Sequence, residues 1–583
     1  MKKLITVLAI LLTLSLLSVF TGCAGEATEP SPTLSSPTLS TWAGDAPVQT
    51  LYGSVKAFED TGDTWVWKAI PYARPPVDEL RWKAPLEPDP WSGMLAETEY
   101  CSECPQLDLG GDVIRNEDCL YLNIWRPQSE EMNLPVYFWI HGGGNSVGTA
   151  SDDIYNGANI AGTSNMVVVT VNYRLGPLGW FTHSALMSGD PGDEIDDSGN
   201  YGTLDLIRAL TWVQRNIEAF GGDPANVTIA GESAGAINVF SLLISPLARD
   251  LFHKGVAQSG IPISSSLADG QESVEEVILR LLINDGTAAD QTAALAHLEG
   301  MTDAETEAYL RSKTAAELLG GYEQSGFSML IFPFIFEDGT VIPDTGYDTL
   351  ETGTYPNKVP LIIGSNKEET KLFLFMEPLL AGNDETYQSV ASLTSDLWKA
   401  MGVDGVARNL TLNDDQPDVY VYQFLWGAEG DTGESVIPDP WGFRIGACHG
   451  LDVPFFFGSD DFFSILSSLI FTEENRPGRE ALSDAIMAYV ANFTRTGDPN
   501  APGSGLPEWN PWSNEADAPK CILWDADKDD LNIAMSTIEL TTASIKAEMD
   551  TSVLETLDSD TLRFLLEFVE HNDSQEWLEE LLR

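Results

Sequence analysis

The sequence predicts an α/β fold built on a large, mostly parallel central sheet flanked by helices. Three observations carry that prediction. Residues 134–140 and 166–172 are short, continuous apolar runs rich in β-branched and aromatic residues, the pattern of strands covered on both faces. Between them and a third run, Val227 to Ala230, residues 201–219 place Leu204, Ile207, Leu210 and Ile217 at helical spacing. The first and third runs end in glycine-rich turns, Gly142-Gly143-Gly144 and Gly231-Glu232-Ser233-Ala234-Gly235, and a helical stretch to Leu243 follows the second of these. Strand, helix and strand in alternation are the signature of a parallel sheet.

Composition sets the frame for these elements. The chain has 583 residues, with 89 Asp and Glu against 31 Lys and Arg, a formal net charge of −58. Its 43% hydrophobic residues and 16 Trp are enough to bury a large core, so the acidity belongs on a folded surface. Such a surface excludes phosphate-backbone binding, which needs clustered Lys and Arg, and adhesion to anionic lipid through a basic face. It suits solubility or adaptation to salt.

Along the chain, Lys2 and Lys3 precede an apolar run from Leu4 to Phe20 and small residues at Thr21-Gly22. This describes a secretory leader over residues 1–22, near the lower limit for a bilayer span. Phe20-Thr-Gly-Cys23 resembles the lipobox of bacterial-type lipoproteins, which implies export, lipid on Cys23 and attachment to the cell membrane through that anchor. Residues 23–47, rich in Ser, Thr, Pro and Ala, read as a flexible spacer. An exported chain can form disulfides. Cys104 and Cys119 would close a short loop, Cys101 competes from three residues away, and Cys448 and Cys521 pair or remain buried thiols.

The segment Gly231-Glu-Ser-Ala-Gly235 carries the chemistry. Gly-x-Ser-x-Gly between a strand and a helix forces the serine onto a strained turn, exposing Ser233 Oγ at the C-terminal edge of the sheet. A serine hydroxyl needs a base and a group to orient that base. Of the six His, His141 reads as a loop-structuring residue, and His183, His253, His297 and His571 as surface or packing residues. His449, in a Gly-flanked loop downstream of Ser233, has the chain order Ser, acid, His. The acid is best placed just after the strand Val359 to Ile363, at Glu368 or Glu369, with Asp338, Asp344 and Asp452 as alternatives.

These residues resemble the type B carboxylesterase family, the cholinesterase-like branch of the α/β-hydrolases. Phe220-Gly-Gly-Asp-Pro-Ala-Asn-Val-Thr-Ile-Ala-Gly-Glu-Ser-Ala-Gly235 and Glu117-Asp-Cys-Leu-Tyr-Leu-Asn-Ile124 are its two long motifs, and further similarity runs from about Val48 to about Ile533. The resemblance implies one large catalytic domain with an α/β-hydrolase fold, over residues 48–540. It assigns Ser233 as nucleophile, Glu369 as triad acid, His449 as general base, the amides of Gly143, Gly144 and Ala234 as oxyanion hole, and Cys104–Cys119 as a disulfide. It implies a small-molecule ester substrate, an acyl-enzyme intermediate, and no metal or organic cofactor. Non-catalytic adhesion proteins of this family lose a triad residue, whereas this chain keeps all three.

Three departures from the family pattern stand out. Thr370 replaces the Gly that usually follows the acid, Asn145 follows the Gly triplet and should make that wall of the pocket more polar, and no Trp lies between Cys104 and Cys119. Choline-ester enzymes place a cation-binding Trp in that interval, so the chain resembles a general carboxylesterase. Residues 541–583, rich in acids with Leu562, Leu565, Leu566 and Val569 at near-helical spacing, read as an acidic helical extension.

Overall fold

Leu134–Ile140 and Val167–Val171 are buried along their whole length. Alternate residues serve two cores: Val136, Phe138 and Ile140 pack on one side, Tyr137 and Trp139 on the other. Covering on both faces is why these strands are uninterrupted apolar runs rather than alternating ones. The computed structural model describes residue 44 and residues 46–548, apart from 109, 378–379, 381, 431–432 and 464–465. The leader at 1–22, Cys23, most of the 23–47 spacer, His571 and all of the extension past Glu548 lie outside the described residues.

The strands of the main sheet are β1 (Phe58–Asp60), β2 (Thr64–Pro71), β3 (Tyr121–Pro127), β4 (Leu134–Ile140), β5 (Val167–Val171), β6 (Gly222–Glu232), β7 (Lys254–Gln258), β8 (Leu361–Asn366), β9 (Val419–Phe424), β10 (Cys521–Trp524) and β11 (Ala534–Ser536). They form an 11-stranded sheet in the order β11-β10-β9-β8-β7-β6-β4-β5-β3-β2-β1. From β10 to β5 every pairing is parallel. The pairings at both edges are antiparallel. This is a single large α/β domain with the α/β-hydrolase arrangement.

Several boundaries differ from the sequence reading. The helix α1 (Tyr201–Asn216) stops before Ala219 and tightens into a 3-10 turn, Ile217–Phe220, which Gly221 ends with a left-handed φ of 83°. The strand leading to the serine begins earlier, at Gly222, which pairs with Leu134 before the register shifts and resumes at Val227 opposite Val136. Helix α2 (Ala234–Ile244) is buried along its entire length against the central strands β6, β7 and β4, as a largely apolar helix must be.

Candidate active site

Ser233 joins β6 to α2 with φ 58° and ψ −124°, a conformation costing on the order of 1–3 kcal/mol for a residue with a side chain. The flanking glycines are needed sterically. A Cβ on Gly231 would lie 2.5 Å from the Gly235 carbonyl, and one on Gly235 would lie 2.1 Å from the Ile140 carbonyl oxygen. The strained turn is held from the neighbouring strand, where the Ser233 amide donates to the Gln258 carbonyl at 2.8 Å.

Opposite this turn, the loop after β4 folds back on itself. The Gly143 carbonyl accepts from the Ser146 and Val147 amides, while Gly143 and Gly144 take φ of 101° and 59°. Gly142 sits against the turn, with a built Cβ 3.0 Å from Ser233 Cβ. Ala234 is the first residue of α2, so its amide has no intrahelical acceptor. His141 is buried, stacks on Tyr173 and contacts the Gly142 carbonyl through Nδ1 at 2.8 Å. Burial lowers its pKa to about 4, so it stays neutral and structural.

The expectation for Asn145 needs correction. Its side chain is fully buried, accepting from Asn238 Nδ2 at 2.8 Å and from the Tyr173 hydroxyl at 3.4 Å. It braces the glycine loop from beneath and adds no polarity to a pocket wall.

On the other side, the sequence left two adjacent carboxylates open, and the structure separates them. Glu369 Oε2 lies 2.6 Å from His449 Nδ1, and Oε1 accepts from Ser259 Oγ at 2.5 Å and the Asn366 amide at 2.6 Å. Glu368 instead pairs with buried Lys371 at 2.7 Å and accepts from the Ala447 amide at 3.1 Å. The two loops are also joined through their backbones, His449 amide to Glu369 carbonyl at 3.1 Å and Glu368 amide to Ala447 carbonyl at 2.9 Å. Asp338 caps its own turn by accepting from the amides of Thr340, Val341 and Ile342, and Asp344 is exposed. Asp452 is buried and accepts from the Tyr422 hydroxyl at 2.6 Å and Asn366 Nδ2 at 3.2 Å.

Thr370 fits without strain. Its φ of −78° does not call for glycine, and its hydroxyl lies 2.7 Å from Thr394 Oγ1 and 3.1 Å from the Ala391 carbonyl.

Sequence reasoning did not single out Glu232. This buried residue, next to Ser233 in the chain, brings Oε1 to 3.0 Å from His449 Nε2. The two atoms are close without hydrogen-bond alignment, so Nε2 has no hydrogen-bond partner among the described residues. Burial alone would depress the His449 pKa, but the Glu232 and Glu369 carboxylates outweigh it and raise the pKa above the ordinary imidazole value. Burial pushes Glu232 upward despite the attraction of His449. Asp452 rises to about 6, again mainly from burial, with the Tyr422 hydrogen bond opposing it.

Two other histidines among the described residues accept backbone hydrogen bonds. His183 accepts from the Ala185 amide and His253 from the Val227 amide, while His297 is exposed. Cys104 and Cys119 form a disulfide, and Cys101, Cys448 and Cys521 are free thiols. Burial pushes the Cys101 thiol up to about 12, too high for a reactive thiolate. No helix among the described residues is long and apolar enough to cross a membrane.

A parallel sheet whose edge carries a strained strand-to-helix serine, a glycine loop and a carboxylate-bound histidine defines a serine hydrolase of the α/β-hydrolase fold. The carboxylesterase family model matches residues 45–383 and 378–529. A para-nitrobenzyl esterase of Bacillus subtilis is 31% identical over 493 residues, covering 80% of this chain and 93% of its own. Liver carboxylesterase 1 of Oryctolagus cuniculus is 32% identical over 489 residues, covering 76% and 83%. Among solved structures, a carboxylesterase of Geobacillus stearothermophilus superposes with a TM-score of 0.65 at 28% identity, covering 86% of this chain and 99% of that one. The chain belongs to the carboxylesterase family and is a carboxylic ester hydrolase.

Proposed function

We propose that Ser233, Glu369 and His449 form the catalytic triad, with the amides of Gly143, Gly144 and Ala234 as the oxyanion hole. The observation that carries this reading is the buried His449, held by Glu369 through Nδ1 at 2.6 Å while Nε2 keeps no hydrogen-bond partner of its own among the described residues. His449 removes the Ser233 proton as Oγ attacks the ester carbonyl, and the three amides receive the developing oxyanion. His449 then protonates the leaving alcohol. A water activated by the same imidazole hydrolyses the acyl-enzyme, and Glu369 keeps the ring oriented throughout.

The test is Ser233→Ala on short p-nitrophenyl esters, with organophosphonate labelling of the wild type. Turnover should fall by about 10⁴-fold or more, and the adduct should map to Ser233. Retained turnover or a label elsewhere would overturn the assignment. An unlabelled, inactive wild type would favour a non-catalytic adhesion role.

We also propose that residues 1–22 are a lipoprotein leader, that Cys23 carries lipid and tethers the protein outside the cytoplasm, and that residues 23–47 space the 48–540 catalytic domain from the membrane. Residues 541–583 form an acidic extension. The charged N-terminus, apolar run and Thr-Gly-Cys step support this, and metabolic labelling with a radioactive fatty acid that persists in Cys23→Ser would contradict it. The acidity fits salt adaptation, which predicts an unfolding temperature that changes between low and high salt.

A further inference from the structure

His449 stands on a loop with no regular structure of its own. Gly446 to Gly450 lie between the short helices Trp441–Arg444 and Val453–Phe457, so the place of the imidazole is set by what the loop is tied to. Three consecutive residues of the loop are tied to the turn that carries Glu369. Ala447 exchanges two hydrogen bonds with Glu368: its amide donates to Oε2 at 3.1 Å, and its carbonyl accepts from the Glu368 amide at 2.9 Å. The Cys448 carbonyl accepts from Asn366 Nδ2 at 2.6 Å. His449 meets Glu369 through its amide, at 3.1 Å, and through its ring, at 2.6 Å.

The Glu368 carboxylate is itself held by Lys371, three residues on, at 2.7 Å. Lys371 is wholly buried, with its ammonium 5.5 Å from the centre of the Phe443 ring. Gly446 takes a φ of 51°, and a Cβ built there would collide with Glu368 Oε2 and come within 3.2 Å of Lys371 Nζ. Carboxylate and ammonium together thus fill the space that a side chain on the loop would need. A buried ion pair adds little net stability over apolar residues of the same volume, because desolvation offsets the attraction. What such a pair does supply is a fixed geometry, and here that geometry belongs to the residue two before His449.

We propose that Glu368, kept charged and aimed by Lys371, is a positioning residue that fixes His449 through Ala447, so that the ion pair governs kcat without touching substrate. The proposal rests on the triad reading of the site. A misplacement of about 1 Å in a reacting group costs on the order of 10²-fold in rate, and the loss falls on kcat when substrate binding is made elsewhere.

The test measures kcat and KM on a short p-nitrophenyl ester, together with the low-field proton NMR signal of the hydrogen bond between His449 Nδ1 and Glu369, in three variants. Lys371→Met strands the Glu368 carboxylate, and kcat should fall about 10²-fold with KM within about twofold. Adding Glu368→Gln removes the stranded charge but keeps an acceptor for the Ala447 amide, so kcat should recover to within about fivefold of wild type and the low-field signal should return to its wild-type position. Adding Glu368→Leu instead removes charge and acceptor together, so kcat should stay about 10²-fold down with the signal displaced. Neither double variant buries an unpaired charge, and their comparison carries the test if Lys371→Met fails to fold. Equal kcat and equal signals in the two double variants, or a loss confined to KM or to Tm, would overturn the proposal. Failure of the triad reading would show separately, as turnover surviving Ser233→Ala.

Discussion

The two sides of the candidate active site are built by different physics. The glycine side, residues 142–144 with the turn at Ser233, is neutral and is held by close backbone approach and positive φ. The histidine side gathers three buried carboxylates, Glu232, Glu369 and Asp452, around one imidazole and is held by charge and hydrogen bonds. A side fixed by steric fit is disrupted by an added methyl group and is indifferent to pH. A side fixed by charge tolerates isosteric change in shape but responds to every proton.

The largest expected effect lies on the charged side. Glu369→Gln keeps the shape and the acceptor for Ser259 and Asn366 but removes the charge that orients and stabilises the imidazolium. We expect kcat to fall by about 10⁴-fold with little change in Tm, and a fall under tenfold would remove Glu369 from the triad.

Gly143→Ala probes the steric side. The new Cβ would sit 2.3 Å from the Val147 carbonyl oxygen at a φ of 101°, so the loop must move. Loss of one oxyanion donor costs about 10²–10³ in kcat. The shape of the pH profile should not change, and a shifted profile would mean that the two sides are not separable.

Glu232→Gln sharpens the contrast further. The folded His449 pKa is raised, so the fold favours the protonated ring. That stabilisation is complete below the ordinary imidazole value of about 6.5 and is lost as pH rises through the raised value. Under the proposed mechanism activity runs oppositely, because His449 must be neutral to act as base. Removing the Glu232 carboxylate lowers the His449 pKa, and the acid limb of kcat/KM should move to lower pH. A limb that stays in place would show that the 3.0 Å contact is not felt in solution.

Thr370→Gly should have the smallest effect. The site does not need a positive φ, and the variant loses hydroxyl contacts while gaining unfolded-chain entropy, together about 1–2 kcal/mol of stability. Denaturant unfolding would record it, and kcat should stay within about twofold.

The same division explains what could be read in the sequence. The strands around Val136 and Val169 were legible because both faces are covered, and the Ser233 turn because only glycine fits at 231 and 235. Glu368 and Glu369 could not be separated by pattern, since neighbours in one turn differ only in which way the fold aims them. Glu232, Ser259 and Asn366 went unassigned because they contact residues far along the chain, His449, Glu369, and Cys448 with Asp452 in turn. Asn145 was misread for the same reason, its partner Asn238 lying 93 residues on, in helix α2.

The strand order also has a consequence for synthesis. After β4, each strand of the main sheet pairs with one that precedes it in the chain: β5 with β4, β6 with β4, β7 with β6, β8 with β7, β9 with β8 and β10 with β9. A chain emerging N-terminus first can thus extend its sheet one strand at a time without waiting for a later partner. Ser233 follows β6, Glu369 follows β8 and His449 follows β9, so the three groups become available in that order. A nascent or prematurely terminated chain ending before residue 449 would carry the strained serine and lack the histidine proposed as its base. Esterase activity would therefore arrive late in the growth of the sheet, when all but its last two strands are in place.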